Sequence, residues 1–321
     1  MNPETNTAAL PQSIFTAPGA PPAGGDGAEV KQAPVIELHD AELRFGDRVL
    51  WHDLNLEVAP GEFLAVLGPN GTGKTTLLKV LLGEHQLHHG SAEIDGRPIH
   101  AGNPAIGYIP QQRGIDPHTP MRGRDIVRMG IDGYRWGPGW PSRKRRKHVD
   151  ELLAAVGATA YADAPAGTLS GGELQRLRVA QALASNPSVL LCDEPLLSLD
   201  MHHQQVVAGL INEQRETRNA AVLFVTHEIN PILSYVDRVL YIVGGHFLIG
   251  TPAEVMTTES LTRLYGSPVE VVRVGGRLIV VGGEDECIDH HVHPGHHAGG
   301  ETVDTGAAAH TGAGASRGAH R

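Results

Sequence analysis

The nine residues GPNGTGKTT, Gly68 to Thr76, constrain the fold of this chain more than any other stretch. Before them runs "LNLEVAPGEFLAVLG", which alternates like strands around a Pro60-Gly61 turn. After them "LLKVLLG" carries a helical period that ends at Gly83. A strand, a glycine-rich loop and a helix in that order, with G-x-x-x-x-G-K-[ST] spacing, make a phosphate cradle. Gly68, Gly71 and Gly73 let backbone N–H groups, with Asn70 between them, close around phosphate oxygens, and the helix start adds its partial positive charge. Lys74 is placed to reach the β- and γ-phosphates of a nucleotide, and the Thr75 hydroxyl to hold Mg²⁺, with Thr76 beside it.

A second apolar run, "SVLLCDEP", ends in Asp193 and Glu194. Short buried strands of this kind belong to parallel sheets, whose ligands bind beyond the carboxyl ends of the strands. Asp193 is therefore expected at the Mg²⁺ shell, and Glu194 is expected to orient and deprotonate an attacking water. Cys192, inside the run, reads as a small buried hydrophobe. "AAVLFVTHE" has the same form and delivers His227. Between about Asp125 and Leu183 the periods are mostly helical, broken by "YRWGPGWPS". "VEVVRVGGRLIVVGG" reads as a hairpin turning at Gly275-Gly276. No internal repeat is present. The layout is α/β with a helical insertion.

Composition excludes several alternatives. The net charge of −10 argues against a nucleic-acid binder that works through a broad basic face. No run approaches the length of a membrane span, and Cys192 and Cys287 offer no disulfide framework. Residues 1–34 are rich in Ala, Pro, Gly and Thr, lack the basic start and apolar centre of a signal peptide, and are expected to be disordered.

"LSGGELQRLRVAQAL", Leu169 to Leu183, resembles the signature of the ATP-binding-cassette ATPases, and other parts of that family's pattern occur in order from Val35 to Gly283. The resemblance implies a phosphate-loop NTPase core with an antiparallel β subdomain and an inserted helical subdomain, about 112–183, followed by the hairpin at about 269–283. It implies ATP and Mg²⁺ as the bound species. Phe45 matches the aromatic that stacks on adenine. Gln111 in "YIPQQ" matches the glutamine that senses the γ-phosphate, meets Mg²⁺ and communicates with a membrane partner. Asp200, in Ser198-Leu199-Asp200, matches the loop that speaks across a dimer, and His227 the switch histidine. In the family, Ser170, Gly171 and Gly172 cap the γ-phosphate held by a second copy, so that two ATP molecules join two cassettes. The residues after Pro195, Leu196-Leu197, depart from the commoner family pattern.

Fewer than a hundred residues separate Thr76 from Ser170, without sustained heptads, and the chain carries one cassette; both disfavour the soluble repair, chromosome and ribosomal ATPases. The remaining expectation is a transporter subunit on the cytoplasmic membrane face, working as a homodimer beneath a separate permease. Asp116, Pro120, Asp125 and Met129-Gly130 resemble the corresponding stretch of zinc and manganese uptake cassettes. That branch implies import of a divalent metal ion, zinc before manganese or iron, with an extracellular metal-binding protein as an indirect partner and no nucleic acid.

Two features stand outside this scheme. Arg143-Lys144-Arg145-Arg146-Lys147 opens a predicted helix, where the dipole opposes positive charge. It reads either as a solvated face or as a position near anionic lipid or the permease. In residues 284–321, His290, His291, His293, His296 and His297 lie close to Cys287. They read either as compositional drift in a disordered Gly/Ala-rich end or as a loose zinc site with no part in ATP chemistry. His85, His88 and His89 read as solvent-facing polar side chains in the turn after the phosphate-loop helix.

Overall fold

The computed structural model describes residues 33–46, 48–111, 115–116, 119–132 and 142–282. The chain runs through β1 (Ile36–Phe45), β2 (Arg48–Val58), β3 (Phe63–Leu67), α1 (Lys74–Leu81), β4 (His89–Ile94), β5 (Arg97–Pro98) and β6 (Ile106–Ile109). Three helices follow, α2 (Gly123–Asp132), α3 (Arg143–Ala155) and α4 (Gly171–Leu183), then β7 (Val189–Asp193), α5 (Met201–Arg218) and β8 (Ala221–Val225). The last elements are β9 (Arg238–Val243), β10 (His246–Gly250), α6 (Pro252–Val255), α7 (Thr258–Tyr265), β11 (Val269–Val274) and β12 (Arg277–Gly282).

The central sheet has the order β10-β9-β3-β8-β7-β6. All neighbours in it are parallel except β10, which pairs antiparallel with β9. Every residue of β3, β7 and β8 is buried, which is why these strands read as continuous apolar runs. Their side chains alternate between two cores. Phe63, Ala65, Leu190, Cys192, Val222 and Phe224 pack towards α2, α3, α4 and α5. Leu64, Val66, Leu191, Leu223 and Val225 pack with α1 and the antiparallel strands. Period-two alternation thus joins the helical layer and the antiparallel layer through one sheet. Burial pushes the Cys192 thiol far up, so it acts as a core side chain.

The antiparallel sheet has the order β2-β1-β4-β5. Its first hairpin starts earlier than the alternation suggests, because β2 begins at Arg48. Asp40 and Asp53 adopt positive φ (45° and 55°) where the β1–β2 register slips, and they interrupt the pattern. Asn55 closes this irregularity by donating Nδ2–H to Asp40 Oδ1 at 3.1 Å and accepting the Asp40 N–H at 3.0 Å.

In the helical layer, α2 and α4 approach at Gly130. A Cβ on that residue would lie 2.0 Å from the Gln181 carbonyl oxygen, so only glycine permits the contact. Asp125 accepts the Arg122 N–H at 3.0 Å at the start of α2. Arg124 forks onto both Asp163 oxygens at 2.6 and 3.0 Å, tying α2 to the segment before α4. Asp125 and Gly130, two of the residues that carry the metal-uptake likeness, thus have packing and capping work to do.

Gly130→Ala should force α2 away from α4 and destabilise the protein by about 1–3 kcal/mol. Urea unfolding would register this as a lower midpoint at unchanged slope; an unaltered midpoint would contradict the packing described.

Candidate active site

The loop between β3 and α1 turns on glycine. Gly68 has φ 137°, and a Cβ there would lie 2.0 Å from the Ile242 carbonyl oxygen of β9. Asn70 and Gly71 form the exposed rim, and Gly73 caps α1 with φ 95°. Lys74 is buried and turned back along the loop, its Nζ donating to the carbonyls of Gly68 (2.6 Å) and Pro69 (2.7 Å). The loop is therefore folded around the ammonium, and its amides lie at the helix start, a geometry suited to anions.

The sheet brings the acidic pair to the same place. The strands β3, β8 and β7 are successive neighbours, so the carboxyl end of β7 lies two strands from the loop, with the end of β8 between them. Asp193, only 1 % exposed, accepts the Thr75 hydroxyl at 3.0 Å. Burial raises its pKa, partly countered by that hydrogen bond, and the neighbouring Glu194 charge raises it further.

Glu194 leaves the strand with φ 49°, a costly conformation for a non-glycine residue, and its N–H is held by the Val225 carbonyl at 3.0 Å. Both of its carboxylate oxygens are engaged. Gln111 donates Nε2–H to Oε2 at 2.9 Å, and His227 Nε2 pairs with Oε1. The His227 contact, ahead of the Gln111 bond, holds this carboxyl below the usual range despite burial. Three residues singled out separately in the sequence thus form one hydrogen-bonded group.

The remaining candidates lie at a strand end, on helix starts and on loops. Phe45, at the end of β1, is half-exposed and meets the edge of the His85 ring at 5.7 Å between centroids. Ser170 caps α4 by accepting the Glu173 N–H, while its own N–H and hydroxyl donate to Glu173 Oε2 at 2.8 and 2.7 Å. Gly171 begins the helix, and a Cβ on Gly172 would come within 3.3 Å of the Ser198 carbonyl oxygen. The signature segment therefore abuts the loop that leaves Glu194. Ser198 has φ 63°, and Asp200 caps α5 through the His203 N–H at 2.9 Å and the His203 ring at 2.6 Å.

Trp51 and Arg48 escaped the sequence reading. Trp51 is fully buried, with its indole Nε1 next to Gly73 and no hydrogen-bond partner for that nitrogen among the described residues. Arg48 donates to the Gly71 carbonyl at 3.3 Å. Neither belongs to a spaced motif; a lone tryptophan in a polar strand opposite the loop is the available signal. The histidines of residues 284–321 lie outside the described residues, and among the described residues no group of three potential ligands could hold a metal.

Comparison with known proteins places this geometry in context. Residues 51–197 match the family described as ABC transporter. The chain is 34 % identical over 242 residues to the zinc import ATP-binding protein of Halorhodospira halophila, covering 75 % of this chain and 86 % of that protein. It is 38 % identical over 229 residues to the hemin import ATP-binding protein of Nocardia farcinica, covering 68 % of this chain and 76 % of that one. Among solved structures, an inward-facing transporter assigned to the metal-chelate type matches 77 % of this chain and 96 % of its own, with TM-score 0.65 and 27 % identity. The dimeric ATP-binding cassette MJ0796 with ADP and phosphate matches 67 % of this chain and 98 % of its own, with TM-score 0.59 and 25 % identity.

A carboxyl whose pKa is depressed by folding contributes stability above its unfolded pKa and loses it as pH falls through the folded value. His227→Ala removes the main cause of that depression at Glu194. It should cost about 1–3 kcal/mol while Glu194 is ionised, with the gap to wild type closing as pH falls through the depressed Glu194 value. Thermal melts down through that range test this, and a gap that persists once Glu194 is protonated would contradict it.

Proposed function

The chain belongs to the ABC transporter family, and from that premise we propose that it is the ATP-hydrolysing subunit of a divalent metal-ion importer, with zinc favoured over manganese and iron. The observation that carries the cargo is the likeness to a zinc import ATP-binding protein along 86 % of that protein's length. A second reading, import of an iron chelate such as hemin, is favoured by the 38 % identical relative. In either case the chain works on the cytoplasmic membrane face, under a permease and as a pair of copies. No described helix is long and apolar enough to cross a membrane.

The residues present fit Mg²⁺. Asp193 and Thr75 offer hard oxygen donors side by side, and the carboxylate is buried where a dication would offset the burial of its charge. Bound there with ATP, Mg²⁺ supplies charge neutralisation at the β- and γ-phosphates.

The rest is done by the chain. Phe45 gives adenine an exposed aromatic face, and the backbone N–H groups from Asn70 to Thr76 enclose the phosphates with Lys74 beside them. Glu194 orients the attacking water and accepts its proton. His227 fixes Oε1, so Oε2 is the oxygen that faces water once Gln111 withdraws. Gln111 matches the family glutamine that communicates with a membrane partner, so its release from Glu194 would make hydrolysis responsive to that partner. A carboxyl held below its usual pKa is a weak base, which suits phosphoryl transfer, where positioning and charge carry most of the catalysis. Ser170, Gly171 and Gly172 serve the nucleotide of the second copy, with Asp200 at the junction, and Leu197 and Met201 expose apolar surface beside it.

Glu194→Gln should lower ATP turnover at least a hundredfold, roughly the loss of a positioned base, while leaving Mg-ATP binding within about twofold. Removing residues 284–321 should leave turnover intact and reduce zinc binding measured by calorimetry; lost turnover would exclude a tail separate from catalysis. Total zinc, manganese, iron and haem in cells with and without the gene, grown in metal-poor medium, test the cargo. A selective fall in zinc is expected; a fall in haem-derived iron alone would favour the second reading, and unchanged metals would exclude both.

A further inference from the structure

The basic run from Arg143 to Lys147 has no part in the ATP chemistry. It occupies the first turn and a half of α3, where Arg143, Lys144, Arg146 and Lys147 are exposed and Arg145 is half-buried. The first turn holds no acidic residue, so the helix dipole opposes the whole run. Lys147 pairs with Glu151 at 3.4 Å, and no described carboxylate pairs with Arg143, Lys144 or Arg146. The placement weakens the helix. It also runs against the −10 net charge of the chain.

The geometry restricts the partner. Successive helical residues are rotated by about 100°, so these side chains point all round the axis of α3. One protein surface could meet a single side of that ring. A plane of negative charge approached end-on acts on every member at once, because the field extends about 8–10 Å in physiological salt. The same plane repels the acidic remainder of the chain, which fixes the approach to this end of α3.

We propose that the exposed basic end of α3 docks on the anionic phospholipid headgroups of the membrane. The proposal rests on the reading of the chain as a membrane-transporter subunit, since that reading brings the subunit, and with it the exposed charge on α3, to a bilayer rather than to nucleic acid. Such a contact would orient the subunit beneath the membrane before and during its engagement with the permease.

The test uses the purified full chain and permease-free vesicles of phosphatidylcholine, alone or with a third phosphatidylglycerol. Wild type should float with the anionic vesicles and not with the neutral ones, and added salt should release it. The combined variant Arg143→Gln, Lys144→Gln, Arg146→Gln and Lys147→Gln should bind the anionic vesicles at least tenfold more weakly. Its ATP turnover should be unchanged, and its melting temperature no lower, because the substitutions relieve the dipole; these two readings distinguish lost docking from misfolding. Undiminished flotation of a folded variant would overturn the proposal, as would wild type that ignores anionic vesicles. So would tighter binding to duplex DNA than to vesicles. If α3 fails this test while the metal content of cells still depends on the gene, the importer reading stands alone. If vesicle binding holds while metals are unchanged, the cargo reading fails instead.

Discussion

Thr75 Oγ1 lies 3.0 Å from Asp193 Oδ1, and the site depends on what that contact joins. The two residues are 118 positions apart and belong to different strand-to-helix and strand-to-loop exits among the parallel strands of one sheet. Between them passes the end of β8, which supplies both the carbonyl that holds the Glu194 N–H and the route to His227. Burying Asp193 at this junction is unfavourable for its charge, as its raised pKa records. The buried apolar strands on either side impose that burial. A site strained in this way in the free protein is one that a cationic ligand relieves.

Glu194 carries a second constraint. Its left-handed backbone and its two engaged carboxylate oxygens fix the side chain before any substrate arrives. Preorganisation of this kind avoids reorganisation during reaction. One of the two engaged oxygens is held by Gln111, a residue on the loop that leaves β6, and on the proposed reading that bond restrains the site until Gln111 withdraws. The loop from Glu194 to Asp200 then reaches the signature segment, where a Cβ on Gly172 would press against the Ser198 carbonyl oxygen at 3.3 Å. The strand that ends in Asp193, the start of α4 and the loop before α5 thus meet within one chain.

Much of this was legible in the sequence because phosphate chemistry demands particular residue types at fixed spacing. The loop from Gly68 to Thr76, the Asp193-Glu194 pair and the buried strands β3, β7 and β8 could be read without coordinates. Contacts that depend on tertiary packing could not. Gln111, Glu194 and His227 were each identifiable, but their hydrogen bonds to one another link positions brought together by the order of strands in the sheet. Trp51 obeys no spacing rule, and its burial against Gly73 follows from a hairpin whose register slips at Asp40 and Asp53. The likeness of Asp125 and Gly130 to metal-uptake cassettes also takes on a different meaning in three dimensions, where a helix start and a close helix approach account for both.

The most direct test of this account is the thermal stability of Asp193→Asn with and without Mg-ATP. The neutral side chain keeps the size of aspartate and its capacity to accept from Thr75, and it removes a charge that burial disfavours. Without ligand the variant should therefore melt no lower than wild type at neutral pH. Mg-ATP should then raise the wild-type melting temperature by several degrees and the variant's far less, since ligand stabilisation follows affinity for the folded state. A variant that is less stable without ligand, yet shifted by Mg-ATP as much as wild type, would contradict the claim that the buried Asp193 charge is held for the metal–nucleotide pair.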